Sequence, residues 1–268
     1  MVSLKETDKI KINKAAALLL NSKNGLVLTG AGISTESGIP DFRGDSGIWQ
    51  KYKPEIYGTI ESFLNDPSKF WKMAEDIAPT LFNAEPNKGH IAIAELEKMN
   101  IIKAVITQNV DELHQKAGNI IVYEVHGNIN RFTCLGCRAS YNKEQILRKI
   151  KKEKQRPPLC NYCGLSLKPS VVLFGENLPN FEKYMSIDLA KKADVMLIAG
   201  SSLEVAPICD LPLYTLREGG KLIIINDEET SLDERAEVVI NNKTGIILPL
   251  IVDEIKKTMV ESQKEINI

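Results

Sequence analysis

Four of the five cysteines stand as two Cys-x-x-Cys pairs, Cys134/Cys137 and Cys160/Cys163, separated by 22 residues. This spacing puts four thiolates on two knuckles, the donor set of a closed, tetrahedral, structural Zn2+ site with no position left for a catalytic water. A redox pair and an iron–sulfur centre are the alternative uses of the same sulfurs. Gly136 and Gly164 stand where knuckle turns want small residues, and Cys209 is left over. Of only three histidines, His126 is followed directly by Gly127. An imidazole with a reference pKa of about 6.5 can take a proton near neutrality, as a general base must. His90 and His114 fall in helical patterns and read as structural or surface residues. Gly30-Ala31-Gly32 follows an apolar run and would let backbone N–H groups approach a pyrophosphate, although a plain tight turn uses the same residues.

Such groups need a scaffold, and the hydrophobic pattern supplies one. Short apolar or β-branched runs occur at 25–29, 101–107, 120–125, 195–199, 222–225 and 238–240, with helical patterns at 8–21, 90–99, 110–117, 181–192 and 208–217. This alternation predicts an α/β fold built on a doubly wound parallel sheet. Directly after successive strands come Gly30-Ala31-Gly32, Gln108-Asn109, His126-Gly127, Gly200-Ser201-Ser202 and Asn226-Asp227. Ligands of open parallel sheets bind at the carboxyl ends of the strands, so these five segments should meet in one cleft. Two stretches interrupt the alternation: 34–87, loop-rich and then helical, and 131–168, which holds the four cysteines. Both read as excursions from the main sheet, because sheet-type segments resume after each.

The glycine loop is not that of a hydride-transferring dehydrogenase. Thr35 stands where a third glycine would be, and no strand ending in an acidic residue follows about 20 residues later. Instead comes Glu36-Ser37-Gly38-Ile39-Pro40-Asp41-Phe42-Arg43-Gly44, a loop with a carboxylate, an aromatic ring and a guanidinium in succession. Dinucleotide chemistry other than redox is indicated. A net charge of -1 over 268 residues gives no global pull toward nucleic acid or an anionic membrane. The basic run 143–156 is broken by Glu144 and Glu153 and reads as a solvated helix face. The longest apolar stretch, Ile246 to Val252, falls far short of the roughly 18 residues a bilayer span requires. No secretory pattern opens the chain, and paired cysteines in a reducing compartment favour metal over disulfides. The expectation is a cytoplasmic protein with no membrane and no direct nucleic-acid partner.

Taken in order, Gly30-Ala31-Gly32-Ile33-Ser34, Gly38-Ile39-Pro40-Asp41-Phe42-Arg43, Thr107-Gln108-Asn109-Val110-Asp111, His126-Gly127, the four cysteines, Phe174-Gly175-Glu176 and Gly200-Ser201-Ser202-Leu203 resemble the signature motifs of the sirtuin family, over roughly residues 10–255. The resemblance implies a Rossmann-like NAD-binding domain from 1–34, 88–130 and 169–268. It also implies a smaller inserted domain made of a cofactor loop and helical module at 35–87 and a zinc ribbon at 131–168. NAD+ and an acyl-lysine peptide would meet in the cleft between the two. The implied activity is NAD-dependent deacetylation of protein lysines. The acetyl oxygen attacks C1′ of the nicotinamide ribose, nicotinamide leaves and an O-alkylimidate forms. His126 then acts as base on a ribose hydroxyl, and the products are free lysine and 2′-O-acetyl-ADP-ribose.

Carried over residue by residue, the resemblance makes His126, Asn109 and Asp111 the catalytic set. Asp111 with the loop from Ile39 to Asp41 would hold the nicotinamide carboxamide, although an acid here also suits a helix N-terminus. Asn109 and Gln108 would orient the ribose and a water, and Phe42 would cover the reactive face. Gly30, Ala31, Gly32, Ser34, Arg43, Gly200, Ser201 and Ser202 would line the phosphates and adjoining ribose, with Asn226 at the adenosine ribose. A substrate peptide would add as a strand between 171–176 and 203–205. Val172 would offer a carbonyl to the acyl-lysine amide and Phe174 a wall of the pocket, with Gly175, Glu176, Leu203 and Val205 completing the two edges. Succinyl-preferring members carry Tyr-x-x-Arg in the helical module. The stretch 69–82 here has Trp71 and Met73 and no arginine, which favours an acetyl or other uncharged acyl group. The implied partners are acetyl-lysine proteins, chromatin proteins among them by family analogy. Oligomeric state stays open, with a monomer compatible. Two rival readings remain: a sirtuin-like ADP-ribosyltransferase using the same NAD+ site, and a non-catalytic NAD-sensing or nucleic-acid-binding module, for which Asn109, Asp111 and His126 would be superfluous.

Overall fold

A computed structural model describes residues 6–266 apart from 43, 45, 46 and 153. The chain opens with α1 (Glu6–Leu20), β1 (Gly25–Thr29) and a 3-10 helix over Ala31–Ser37. Four helices follow: α2 (Ile48–Lys51), α3 (Pro54–Tyr57), α4 (Ile60–Asn65) and α5 (Pro67–Asn83). Then come α6 (Lys88–Lys98), β2 (Ile102–Thr107), α7 (Leu113–Ala117), β3 (Val122–Glu124), β4 (Gly127–Cys134), β5 (Ser140–Asn142), α8 (Lys143–Lys151) and β6 (Leu167–Val171). The last stretch holds α9 (Asn180–Lys192), β7 (Val195–Ala199), α10 (Leu211–Arg217), β8 (Lys221–Asn226), β9 (Val238–Asn241) and α11 (Thr244–Ile266).

Six strands form one parallel sheet in the order β3-β2-β1-β7-β8-β9. Its central strands are continuous apolar runs because both faces are covered. Val27, Val105, Leu197 and Ile223 point to a core with α1, α6 and α11. Their chain neighbours Leu26, Ala104, Met196 and Leu222 point to a second core with α9 and α10. The chain steps outward in one direction from β1 to β3 and in the other from β7 to β9, so the order reverses between β1 and β7. That reversal point is where an open α/β sheet has room for a ligand.

The excursions pack on each other. A three-stranded antiparallel sheet, β5-β4-β6, carries the cysteines. It shares one core with the helical module, where Phe63, Phe70, Trp71 and Met73 meet Phe132, Tyr141, Ile146 and Leu167. Trp71 stacks on Phe132 with ring centroids 5.9 Å apart and donates its indole N–H to the Leu167 carbonyl at 2.9 Å. β4 begins at Gly127, directly after the main sheet's last-used loop residue His126, so one strand joins the two units.

One helical expectation changes, and one apolar stretch proves to be helical. The pattern at 110–117 is helical only from Leu113, because Glu112 takes a left-handed φ of 60 and Val110–Glu112 form a loop. The apolar stretch around 246–252 belongs to a 23-residue helix, α11, with Pro249 inside it. Its buried face, Ile247, Leu248, Ile251, Val252 and Ile255, follows helical spacing.

Candidate active site and zinc centre

The loops that follow β1, β2, β3, β7 and β8 open onto one cavity of about 1290 Å³. Its floor is set by glycine. Gly200 has φ +64, and a Cβ on it would fall 2.2 Å from the Ile33 nitrogen. The loops after β1 and β7 therefore touch backbone to backbone, with Gly32 N–H donating to the Gly200 carbonyl at 2.8 Å. Gly30, Ala31, Gly32, Gly200, Ser201 and Ser202 all line the cavity, at the point where the strand order reverses. This is the cradle a dinucleotide pyrophosphate needs. Arg43 lies outside the described residues. Asn226 lines the far side, its amide anchored on the Glu228 carbonyl at 2.8 Å.

Deeper in, Ser34 is the hub of a buried polar network. Its hydroxyl donates to Asp111 Oδ2 at 2.7 Å and accepts from Asn109 Nδ2 at 3.0 Å. His90 Nε2 completes the set at 3.4 Å. His90 Nδ1 accepts the Asn87 N–H, so the ring's proton sits on Nε2 and points at Ser34. The hydroxyl thus has both lone pairs engaged and only Asp111 to donate to. Asp111 Oδ1 accepts the Leu113 N–H at 3.0 Å, so this carboxylate also caps α7. Burial pushes the Asp111 pKa up, against the pull of these bonds. Ile39, packed on Ala84 and Leu113, closes the network from above. Asp41 folds its own loop by accepting the Gly44 N–H at 2.9 Å.

His126 sits at the junction. Its Nδ1 lies 3.1 Å from the Gln108 carbonyl. A carbonyl only accepts, so Nδ1 carries the proton and Nε2 keeps its lone pair for the cleft. Burial lowers the His126 pKa, partly offset by that bond, which keeps the ring neutral and basic at neutral pH. Gly127 has φ +80, and a Cβ there would fall 1.8 Å from the Ser170 carbonyl. Only glycine lets β4 approach β6 so closely next to the ring. Gln108 spans the cleft floor, donating its amide to Ser201 Oγ at 3.0 Å.

Val172, Phe174, Gly175, Glu176 and Val205 also line the cavity. The Leu203 side chain does not, because it is buried in the core under α9 and α10. Three aromatic rings roof the cleft: Phe42 and Trp49 with centroids 5.5 Å apart, then Trp49 and Phe174 at 6.0 Å. Two members of the site escape sequence reasoning. Trp49 stands in no motif, and His90, expected to be structural or at the surface, is 0% exposed and bonded into the Ser34 hub. The capping box at Asn87, with His90 three residues on, was the available signal that this ring turns inward.

The four sulfurs of Cys134, Cys137, Cys160 and Cys163 lie within 4.8 Å of one another. Cys134 and Cys163 are 3.3 Å apart, and Cys137 and Cys160 are 3.5 Å apart. A tetrahedral Zn2+ with bonds of about 2.3 Å spaces its sulfurs by about 3.8 Å, so the cluster fits the ion. The Tyr141 hydroxyl accepts the Asn161 N–H at 2.8 Å and stands 3.3 Å from Cys160 Sγ, leaving its own hydrogen for that sulfur.

Residues 30–207 match the model of the Sir2 family. The chain is 46% identical over 248 residues to NAD-dependent protein deacylase 2 of Archaeoglobus fulgidus, covering 92% of this chain and 97% of that protein. It is 47% identical over 247 residues to an NAD-dependent protein deacetylase of Sulfurisphaera tokodaii, again with 92% and 97% covered. Among solved structures, a Sir2 enzyme superposes with TM-score 0.88 at 45% identity, covering 93% of this chain and 99% of the other. A Sir2 variant bound to a deacetylated p53 peptide and 3′-O-acetyl ADP ribose superposes with TM-score 0.87 at 40% identity, covering 91% and 98%.

Proposed function

The chain belongs to the Sir2 family, and we propose that it acts as an NAD-dependent protein lysine deacetylase yielding deacetylated lysine, nicotinamide and 2′-O-acetyl-ADP-ribose. The observation that carries this reading is the cleft at the strand reversal. One neutral histidine, one buried hydroxyl–carboxylate–amide network and the edge residue Val172, whose carbonyl accepts from no group among the described residues, all line a cavity large enough for a dinucleotide.

When bound, NAD+ supplies an anomeric carbon whose bond to nicotinamide can break. Asp111, kept aligned by Ser34, receives the nicotinamide carboxamide together with the backbone of the loop from Ile39 to Asp41. Asn109 and Gln108 orient the ribose, and the cradle of Gly30 to Ser34 and Gly200 to Ser202 holds the phosphates. His126 Nε2 takes the proton of a ribose hydroxyl, since its other nitrogen is committed to the Gln108 carbonyl. Phe42, Trp49 and Phe174 form a row of aromatic rings along the cavity, against which the bound substrates would pack. Four thiolates of the zinc knuckles hold a structural ion remote from this chemistry. The helical module offers Trp71 and Met73 at the acyl end and no arginine, which favours acetyl and other uncharged acyl groups.

The substrates are acetylated proteins, chromatin proteins among them. A monomer is compatible with this reading. Among the described residues no helix is long and apolar enough to cross a membrane; the proposed location is the cytoplasm, where paired cysteines favour metal over disulfides. The proposed division is into an NAD-binding domain of 1–34, 88–130 and 169–268, a helical module of 35–87 and a zinc module of 131–168, with β4 crossing the boundary at 130.

The test is to incubate the purified protein with an acetyl-lysine peptide, with and without NAD+, and to follow peptide mass and nicotinamide release together. Equimolar loss of acetyl and release of nicotinamide establishes the reaction. Nicotinamide release with the acetyl group intact points to ADP-ribosyl transfer or NAD+ hydrolysis instead.

A further inference from the structure

We infer that Lys168 and Glu176 are positioning residues that aim the Val172 carbonyl into the cleft. This rests on the reading of 171–176 as the substrate-peptide edge. Lys168 is only 5% exposed. Its ammonium lies 2.9 Å from Glu176 Oε2 and donates to the carbonyls of Val171 at 2.6 Å and Pro169 at 3.1 Å. The peptide plane joining Val171 to Val172 is held at both ends, since the Val172 N–H donates to the His126 carbonyl at 2.8 Å.

The next plane is held at one end. The Leu173 N–H donates to the same Glu176 Oε2 at 2.8 Å. In a trans peptide the C=O and N–H point in opposite directions, so fixing this N–H on Glu176 turns the Val172 carbonyl the other way. The Val171 carbonyl accepts from Lys168, that of Leu173 from the Glu176 N–H at 3.0 Å, and that of Phe174 from the Ile60 N–H at 3.0 Å. The Val172 carbonyl accepts from no group among the described residues. It lines the cavity as an acceptor whose direction is fixed before any ligand arrives, which lowers the ordering cost of binding. A buried ion pair is poor evidence of stabilisation for its own sake. Here its oxygen and ammonium hold the backbone of one short segment, Pro169 to Leu173.

The experiment measures KM for an acetyl-lysine peptide and for NAD+, kcat and thermal midpoint in K168M, E176Q and K168R. Losing a hydrogen bond to a charged group corresponds to a change of about tenfold or more. The expected result is a peptide KM raised about tenfold in K168M and E176Q, with the NAD+ KM and kcat at saturating peptide within about twofold of wild type. K168R, which keeps the charge and donors, brings the peptide KM back to within about threefold. An unchanged peptide KM in folded K168M and E176Q overturns the inference, as does a parallel rise of both KM values, the mark of a loosened fold. If K168M does not fold, E176Q decides alone, because it replaces the charged acceptor of the Leu173 N–H and of the Lys168 ammonium by a neutral amide that holds that N–H more weakly. Phe174→Ala separates the two levels. If it raises the peptide KM while K168M and E176Q do not, the positioning role fails and the edge reading stands. If none of the three moves it, the edge reading fails as well.

Discussion

Lowering the pH from 7 to 5 should weaken this fold through two buried rings. His90 and His114 lie with centroids 5.0 Å apart and are 0% and 1% exposed. Burial pushes their pKa values down to about 4 and about 3. His114 bonds through Nε2 to Thr29 Oγ1, whose own hydrogen goes to Thr107, so this ring is the neutral Nε2–H tautomer. With folded values below the unfolded value of about 6.5, the unfolded chain binds protons that the native state refuses. Stability is therefore untouched above about pH 6.5 and falls as the pH drops from there toward the folded values. By pH 5 each ring accounts for about 2 kcal/mol and the pair for about 4 kcal/mol, a large part of the roughly 5–15 kcal/mol typical of a folded domain. Asp111 and Glu124, whose pKa values burial raises, act in the opposite sense and lend stability as the pH falls. The assay is urea unfolding at pH 7 and pH 5 for the wild type and for H90Q/H114Q, in which the amides cannot titrate. The double variant starts less stable, yet it should lose about 4 kcal/mol less between the two pH values. Contributions from the carboxylates and from thiolate protonation at the zinc knuckles are common to both proteins and cancel in the difference. Equal losses would refute the reasoning, since the rings would then have to be protonated or solvated in the native state.

Three further outcomes follow from the site. His126→Ala should lower kcat by about 10²- to 10⁴-fold with an unchanged thermal midpoint, and the acidic limb of the wild-type rate should lie below the ordinary histidine pKa, because burial lowers it. A variant turning over at the wild-type rate removes the ring from the role of base. Cys160→Ser should release the ion and unfold the small domain, since binding and folding of such sites are coupled. Metal content and the thermal midpoint check this, and an undiminished midpoint contradicts it. Tyr141→Phe should keep the fold but weaken Zn2+ affinity by about 10- to 100-fold in a chelator competition, through loss of the hydroxyl that faces Cys160. An unchanged affinity would leave the hydroxyl as packing alone.

The parallel sheet was legible because its strands are buried on both faces and so read as uninterrupted apolar runs; the bounds 25–29 and 195–199 coincide with β1 and β7. The polar clusters that end these runs located the cleft for the same reason, since strand ends in such a sheet share one rim. What escaped was structure fixed by tertiary contact. α11 carries Gly245 and Pro249 in its first turns, which disguise a helix whose apolar face is obvious only once the sheet lies beneath it. The antiparallel strands β4, β5 and β6 pair only with one another, and their core is shared with the distant helices α4 and α5. Trp49 and Lys168 belong to no local pattern, and the capping box around His90 does not say what the ring meets. Each acquires its partner from a segment tens of residues away or from backbone carbonyls, which carry no sequence signal at all.

Backbone carbonyls also explain how two substrates can be aligned by one residue. His126 binds the loop after β2 through its ring, Nδ1 to the Gln108 carbonyl, and the strand edge after β6 through its main chain, its carbonyl accepting the Val172 N–H. The proposed proton acceptor is thus fixed on one side to the loop bearing Asn109 and Asp111, and on the other to the edge bearing the Val172 carbonyl. Neither tie depends on a side chain other than the imidazole itself. A shift of β4 relative to β2 would therefore displace the proposed base from the loop after β2 and rotate the proposed peptide edge in the same motion. Precise alignment matters because a displacement of about 1 Å can cost two orders of magnitude in rate. Gly127 makes the arrangement possible: the strand bearing His126 must pass within van der Waals contact of the Ser170 carbonyl, and any side chain at 127 would push the two halves of the site apart.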